Sequence, residues 1–237
     1  MDIQTQTNDG FTIYSLSEFA VAIEFAPDIS TDTLERITRF NALLCHSPFD
    51  GFRTTVPAYT TLSIFFDPVV VIQSPRLHGI NCFERVAGFL KGLNRGGSTP
   101  ALSTASPIAI PVCYGGVSGP DLNEVARSIG MTPDEVIQLH STAVYHVYMV
   151  GFTPGFAYLG GMPGELSSPR KSTPRGTVPA GSIGIAGKQT GIYSLESPGG
   201  WQIIGRTPLR LFDANNAQPT LLKAGDRVVF KVITECR

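Results

Sequence analysis

Apolar residues recur every three or four positions in two stretches of the N-terminal half of the chain, and this spacing predicts two amphipathic helices. Each stretch opens with residues typical of a helix N-terminus, Asp32-Thr33-Leu34-Glu35 in the first and Asn81-Cys82-Phe83-Glu84 in the second. The faces that we expect to be buried consist of Leu34, Ile37, Phe40, Leu43 and Leu44 in the first helix and of Phe83, Val86, Ala87 and Leu90 in the second.

Short apolar runs around these helices predict four strands, at 19–25, 52–56, 61–66 and 108–112. The resulting order, β-α-β-β-α-β, is that of a ferredoxin-like domain, in which helices cover one side of an antiparallel sheet. We therefore predict an α+β ferredoxin-like domain over residues 1–97. Prolines flank the last of these strands, which could instead belong to the next domain.

Residues 98–106 are small and show no periodicity, so we predict a linker there. The composition changes beyond it, since 18 of the 25 glycines follow Tyr114 and punctuate short apolar runs. A series of short strands separated by glycine and proline turns is typical of a closed barrel or a sandwich. We predict a mainly-β barrel domain over residues 107–237, with strands that include 144–150, 182–186, 202–204 and 227–233.

The balance of charge argues against some partners. Lys and Arg number 18 against 19 Asp and Glu, a formal net charge of −1, which does not favour a general nucleic-acid or anionic-membrane surface. Residues 121–140 have the form of a helix-turn-helix, but Asp134 and Glu135 at the start of its second helix would repel DNA. A helix cap formed by Thr132, Pro133 and Glu135 explains the same residues more simply. We therefore expect neither nucleic acid nor a membrane as a partner, and, since the first residues do not resemble a secretory signal, a cytoplasmic location.

The four cysteines, Cys45, Cys82, Cys113 and Cys236, lie far apart in the sequence. No C-x-x-C or H-x-x-H spacing joins them to a histidine, so no metal site is predicted. In a chain of this length without a visible secretory signal, we expect four reduced thiols.

Aromatic residues concentrate in a glycine-rich segment, 151–161, that includes Phe152, Phe156 and Tyr158. Glycine favours tight turns that expose rings, as binding surfaces require. The only tryptophan, Trp201, follows the turn Ser197-Pro198-Gly199-Gly200 and could serve the same surface or be a core residue.

Basic residues accompany these rings. Pro169-Arg170 and Pro174-Arg175 hold two guanidinium groups on stiff stems, which could clamp a carboxylate or a phosphate; alternatively both arginines are solvated. Lys188 follows Gly187 without the spacing of a phosphate-binding P-loop. It could still accompany an anion-binding nest, although a glycine turn between strands is the simpler interpretation.

His140 ends the helix that Thr132 opens, just before the strand that leads to the aromatic segment. It could simply interact with the C-terminus of the helix. Alternatively it points towards Phe152, Phe156 and Tyr158 and exchanges a proton with a substrate near neutral pH.

Motifs along nearly the whole chain are those of one family: Val56-Pro57-Ala58-Tyr59, Phe66-Asp67-Pro68, Tyr114-Gly115-Gly116, Gly119-Pro120-Asp121-Leu122, His140, residues 151–158, Pro169-Arg170, Pro174-Arg175, Val178-Pro179-Ala180-Gly181-Ser182, Gln189-Thr190-Gly191-Ile192-Tyr193, residues 197–201 and Gly225-Asp226-Arg227-Val228. With them the chain resembles the family variously called allophanate hydrolase subunit 1, sporulation-kinase inhibitor and component B of 5-oxoprolinase. Lys188 and Ser194 depart from the usual pattern, which has glycine and proline there.

The resemblance implies an N-terminal α+β domain and a C-terminal cyclophilin-like β-barrel. It further implies component B of an ATP-dependent 5-oxoprolinase that opens 5-oxoproline to L-glutamate. The implied partners are a homologous barrel protein, component C, and a lactam-hydrolysing protein, component A, and the ligand is a small amide or lactam. ATP is used by the assembled complex, and no metal or prosthetic group is implied in this chain. Because the sequence holds no complete P-loop, metal site or nucleophile triad, we expect the isolated chain to be inactive.

Two alternatives stay open within the family: an inhibitor or binding module for a sensor histidine kinase, and a subunit of an enzyme that processes urea or allophanate. The residues and the resemblance together assign His140 and Arg175 to catalysis. They assign to substrate binding Gly151, Phe152, Pro154, Gly155, Phe156, Tyr158, Arg170, Lys188, Gln189, Thr190, Tyr193, Ser197, Pro198, Gly199, Gly200, Trp201 and Arg206.

Overall fold

A computed structural model of the protein describes residues 4–8, 10–96 and 106–234. The chain divides into two units, Met1–Thr104 and Ala105–Arg237. The predicted linker, 98–106, lies outside the described residues except for Ser106.

The first unit is an antiparallel sheet with helices. Its sheet has the strand order β1-β2-β3-β5-β4, and its core includes Ile23, Leu44, Ile64 and Leu90, all fully buried. The elements are β1 (Thr5–Asn8), β2 (Phe11–Ser17), β3 (Ala20–Glu24), α1 (Thr31–His46), β4 (Phe52–Ala58), β5 (Thr61–Phe66), α2 (Pro68–Gln73) and α3 (Cys82–Gly96).

The ferredoxin-like arrangement predicted for this unit is not confirmed. Strands β3 and β4 flank β5 as the prediction requires, but the expected fourth strand, 108–112, lies in the second unit. The place beside β3 is taken by β2, which pairs with β3 antiparallel. Only Phe11 and Ile13 of β2 are buried, so this strand lacks the continuous apolar run by which the others were predicted.

Helix starts in this unit follow capping chemistry. The pair predicted at Asn81 and Glu84 is confirmed, because the Glu84 N–H donates to Asn81 Oδ1 at 2.9 Å and the Glu84 carboxylate accepts from the N–H of Ile80. The first helix begins earlier than its predicted cap at Asp32, since Ser30 accepts from the Thr33 N–H.

The second unit is a closed seven-stranded barrel, as the sequence predicted. Its order is β7-β14-β6-β13-β10-β11-β8, and β8 pairs back with β7. Strands β6 and β14 are parallel, and the other neighbours are antiparallel. The elements are β6 (Ile108–Tyr114), α4 (Leu122–Ser128), α5 (Pro133–Thr142), β7 (Val144–Val150), β8 (Ala157–Gly160), a 3-10 turn (Gly164–Leu166), β9 (Arg175–Val178), β10 (Ser182–Ala186), β11 (Gln189–Ile192), β12 (Ser197–Gly199), β13 (Gln202–Arg206) and β14 (Arg227–Val232).

Strands β9 and β12 form a separate antiparallel ribbon. The barrel core includes Ile110, Val147, Leu159, Ile185 and Phe230, all fully buried. The predicted cap of α5 is confirmed, with Thr132 and Glu135 forming a reciprocal capping box.

Cys45 and Cys82 are free thiols, whereas Cys113 is disulfide-bonded. The expectation of four reduced thiols is therefore wrong for Cys113, because sequence spacing does not show which thiols a fold brings together. Within the described ranges, no helix combines the length and apolar character needed to cross a membrane.

Candidate functional site

Four aromatic rings from three strand ends meet beside the β9–β12 ribbon; we call Phe156, Tyr158, Tyr193 and Trp201 the aromatic cluster. The ring centroid of Phe156 lies 4.9 Å from that of Tyr193 and 5.7 Å from that of Trp201. The ring of Tyr158 lies 5.8 Å from Trp201. The pairing of β8 with β11 brings the cluster together, because it sets Tyr158 opposite Gly191, two residues before Tyr193.

Two glycines make room for these rings. A Cβ on Gly191 would lie 2.9 Å from Trp201 Cζ3 and 3.1 Å from Phe156 Cζ, and a Cβ on Gly199 would collide with the Tyr193 hydroxyl. A side chain at either position would displace a ring. These glycines therefore serve close packing rather than backbone flexibility.

The segment that leads to the cluster is a tight turn between β7 and β8. The Gly151 N–H donates to the Phe156 carbonyl at 3.0 Å, and the Pro154 carbonyl accepts from the Ser194 hydroxyl at 2.6 Å. Gly155 has a φ of +81°. Phe152 also adopts a positive φ, +72°, and its ring is 63% exposed. A bulky residue held in this conformation at an exposed turn is typical of a functional loop.

A buried carboxylate anchors the basic residues near the cluster. Asp121 Oδ1 accepts from Arg175 Nη2 at 2.5 Å and from Lys171 Nζ at 3.1 Å, and Oδ2 accepts from the Ile203 N–H at 2.6 Å. Burial alone would raise the pKa of Asp121. Hydrogen bonds from Arg175, the Ile203 N–H and Lys171 outweigh burial and hold that pKa below its usual value. Asp121 is therefore an ionised anchor that orients Arg175.

Sequence reasoning missed both Asp121 and Lys171 as residues of this site. Lys171 directly follows the predicted Pro169-Arg170 pair, and its Nζ also reaches Glu124 at 3.2 Å. The signal was its place in a run of basic residues. Asp121 gave no such signal, because it lies 54 positions from Arg175.

The two predicted arginines have different environments. Arg170 is exposed, and its guanidinium carbon lies 6.0 Å from the centroid of the Trp201 ring. Burial raises the pKa of the Tyr193 hydroxyl, so that hydroxyl is protonated at neutral pH. The backbone N–H of Trp201 and the charges of Arg170 and Arg175 act on this pKa in the opposite direction, which places all three near the hydroxyl.

The ribbon positions the remaining predicted residues. Ser197 is 9% exposed, Pro198 is exposed, and Gly199 lies opposite Arg175. The Gly200 carbonyl accepts from the Lys171 N–H at 2.8 Å. The turn that precedes Trp201 is thus tied to the basic residues by the backbone as well as by side chains.

A family model for the carboxyltransferase domain, subdomain C and D, matches residues 11–222. The chain belongs to this family. A curated relative from Bacillus subtilis (strain 168), named as component B of 5-oxoprolinase, is 42% identical over 225 residues, which cover 95% of this chain and 94% of the relative. A relative of the same name from Escherichia coli O157:H7 is 39% identical over 92% of this chain and 94% of its own length. The resemblance expected from the motifs is confirmed.

Among solved structures, TTHA0988 matches this carboxyltransferase-family chain with a TM-score of 0.78 and 35% identity over 90% of the chain. The chain spans 40% of the length of TTHA0988.

The histidine predicted to be catalytic in this family member, His140, lies in the barrel core. It is fully buried and stacks on Phe230 with centroids 4.6 Å apart. Its Nδ1 is 2.8 Å from the Tyr114 hydroxyl, and its Nε2 is 3.0 Å from the Thr190 hydroxyl. The Thr190 hydroxyl donates to the Gly184 carbonyl. Its oxygen therefore accepts from Nε2–H, and Nδ1 accepts from Tyr114.

Burial lowers the pKa of His140 to about 3, so the ring is neutral at pH 7. Burial likewise raises the pKa of its partner Tyr114. The predicted orientation towards Phe152, Phe156 and Tyr158 is wrong, because both ring nitrogens bond within the barrel core. Catalysis by His140 stays a prediction.

Other predicted residues lie on separate turns of the barrel. Lys188 is exposed and, with Gly187 at a φ of +57°, forms the two-residue turn between β10 and β11. This is the simpler of its two interpretations. Gln189, which is half-buried, begins β11, and Arg206 Nε donates to the Ala180 carbonyl at 2.9 Å. Within the described ranges, no three His, Cys, Asp or Glu side chains are grouped to hold a metal ion.

Proposed function

We propose that this protein is component B of a 5-oxoprolinase, which opens the lactam ring of 5-oxoproline to glutamate. The proposal is supported by relatives of that name at 39–42% identity, which match along more than nine-tenths of this chain. They therefore match along the aromatic cluster and its basic residues as well as the rest of the fold.

The observation that carries the proposal is the combination of a flat aromatic surface with an anchored guanidinium. Asp121 holds Arg175 through one nitrogen and thereby fixes the direction of the rest of the guanidinium. Tyr193 and Trp201 lie next to it. The ligand is a small ring that carries one negative charge, and such a surface offers it apolar contact on one side and a cation at the edge.

The reaction needs help from other components. A lactam carbonyl is a weak electrophile, and transfer of a phosphoryl group from ATP to its oxygen would create a leaving group while charge develops nearby. We propose that a homologous barrel protein and a lactam-hydrolysing protein complete the site, that ATP serves the assembled complex and that this complex works in the cytoplasm. Alone, the chain is expected to be inactive.

The test is reconstitution. The chain is purified alone and with its two partner proteins from the same genome, and ATP-dependent release of glutamate from 5-oxoproline is measured. We expect turnover by the complex and none by the chain alone. Arg175→Gln should lower kcat/KM of the complex about 30-fold or more, the loss of a charge-assisted contact in the transition state.

Arg39→Gln is the charge-matched control, because Arg39 is an exposed residue of α1 that pairs only with Glu35 among the described residues. It should leave kcat/KM unchanged. A complex that assembles but releases no glutamate would refute the proposed function. Turnover by the chain alone would refute the need for partners.

A further inference from the structure

Two buried side-chain atoms in the described part of the chain have no hydrogen-bond partner: Arg175 Nη1 and Ser197 Oγ. Leaving a buried polar group unpaired costs about 1–3 kcal/mol. Native proteins therefore pair nearly all such groups, and an exception calls for a physical reason. Both exceptions here fall on the same two-stranded ribbon, Arg175 on β9 and Ser197 on β12.

The register of the ribbon sets both groups on one face. Gly199 lies opposite Arg175, and Ser197 lies opposite Val178, with a register shift between the two pairs. Ser197 and Gly199 are two residues apart on β12, so they point to the same side. That side is the one on which the Tyr193 hydroxyl blocks any Cβ at Gly199. The unpaired atoms therefore face the aromatic cluster.

The guanidinium is fixed before any ligand arrives. Arg175 Nη2 is bound to Asp121, which is itself held by the Ile203 N–H and by Lys171. The direction of Nη1 follows from that of Nη2, because the guanidinium is planar. Groups held in this way lose little conformational entropy when a ligand binds.

The chemistry of the two groups selects the ligand. Nη1 is a donor only, and the Ser197 hydroxyl can donate, so the natural partner is an oxyanion. Arg170, Lys171 and Arg175 together carry three positive charges, while Asp121 and Glu124 carry two negative charges. The local surplus of one positive charge matches a monoanion better than a phosphate dianion.

We propose that Arg175 Nη1 and Ser197 Oγ form a two-point carboxylate site, each donating to one oxygen, with the rest of the ligand against Tyr193 and Trp201. The proposal rests on the proposed function in one respect: it assigns the carboxylate of 5-oxoproline as the occupant. The other available oxyanion is phosphate, free or in ATP, and the experiment separates the two.

Binding is measured by calorimetry and NMR titration on the full chain and on the assembled complex, without turnover. The probes are 5-oxoproline, 2-pyrrolidone, which has the same lactam ring without the carboxylate, and inorganic phosphate. We expect 5-oxoproline to bind at least about 10-fold more tightly than 2-pyrrolidone, as a charge-assisted pair of hydrogen bonds allows. Arg175→Gln and Ser197→Ala should each reduce this preference below about 3-fold.

Arg127→Gln, an exposed change in α4 of the same unit, is the control and should leave the preference intact. If phosphate binds with the same dependence on Arg175 and Ser197 while 5-oxoproline does not, the carboxylate assignment is wrong. If 5-oxoproline shows no preference over 2-pyrrolidone in either preparation, the site itself is refuted.

The stability of Ser197→Ala gives a second measurement. Its hydroxyl bonds to nothing in the described protein, so its removal should leave the thermal midpoint unchanged or higher. A lower midpoint with an unchanged ligand preference would make Ser197 structural and refute the proposal.

The failure of this site and that of the proposed function are distinguishable. Turnover of 5-oxoproline with unchanged KM in both variants refutes the carboxylate site and leaves the function in place. A carboxylate preference that needs both residues, in a complex that releases no glutamate, supports the site and refutes the function.

Discussion

The barrel unit buries polar side chains in two regions, and the two differ in how completely they are paired. In its core, Tyr114, His140 and Thr190 form a chain of hydrogen bonds in which each ring nitrogen and hydroxyl has a partner. On the β9–β12 ribbon, Arg175 and Ser197 each leave one buried atom without a partner in the described protein.

The difference separates two uses of buried polarity. A fully paired network in a low-dielectric core contributes to stability and specifies one packing arrangement. An incompletely paired one destabilises the fold, and sites that bind ligands are where such strain is found. Histidine looked the more chemical residue in the sequence, yet its surroundings are structural. The ribbon is where the structure retains unused donors.

The largest effect that would test this comparison is on folding. His140→Ala removes a fully buried ring and leaves Tyr114 and Thr190 without their partner, so it should lower the free energy of unfolding by about 2–5 kcal/mol. Urea denaturation measures the loss. His78→Ala, at an exposed position, should change it by no more than about 0.5 kcal/mol. Normal stability with a large loss of turnover would instead support the catalytic prediction for His140.

A smaller effect follows from pH. The native pKa of His140 is about 3, below the ordinary 6.5, so between these values the unfolded chain binds a proton that the native ring does not. Stability is therefore complete above about pH 6.5 and falls as the pH falls, by up to about 1.4 kcal/mol for each unit.

Urea unfolding at pH 7, 6 and 5 measures this slope. His140→Gln should be less stable at pH 7 but should show a shallower slope, because the other histidines are common to both proteins. Parallel slopes for the two proteins would mean that His140 is protonated in the native state.

The smallest expected effect concerns Arg170. Its exposed contact with Trp201 is worth about 0.5–1 kcal/mol, so Arg170→Ala should lower turnover of the complex by less than about 5-fold. Arg170→Lys keeps the charge and should retain most of the activity. Kinetic analysis beside Arg175→Gln checks the ranking. Equal losses at both positions would restore the clamp of two arginines predicted from the sequence.

Local features were predictable because local chemistry determines them. Thr132, Pro133 and Glu135 specify the start of α5 among four consecutive residues, and the strands at 144–150 and 182–186 follow from short apolar runs. Strand β2 was missed because its pairing with β3, rather than its own pattern, makes it a strand.

The candidate site was predictable in composition and not in geometry. Aromatic and basic residues near glycine marked the region, but the sequence does not encode which nitrogen of Arg175 is used by the fold. That depends on Asp121, which only the folded barrel brings to it. For the same reason the sequence placed Arg170 and Arg175 in one role, and it assigned to His140 an orientation that the core does not allow.

The parallel pairing of β6 with β14 also constrains how the barrel is made. It joins Ile108 to Val228 and Val112 to Val232, the first and last strands of the unit. On the ribosome, β6 emerges early and must wait for nearly the whole unit before its neighbour exists. Contacts between such distant segments slow folding and leave strand edges open in the meantime. During synthesis the barrel is therefore an open sheet for most of its existence, and its closure is the last event in the assembly of the site.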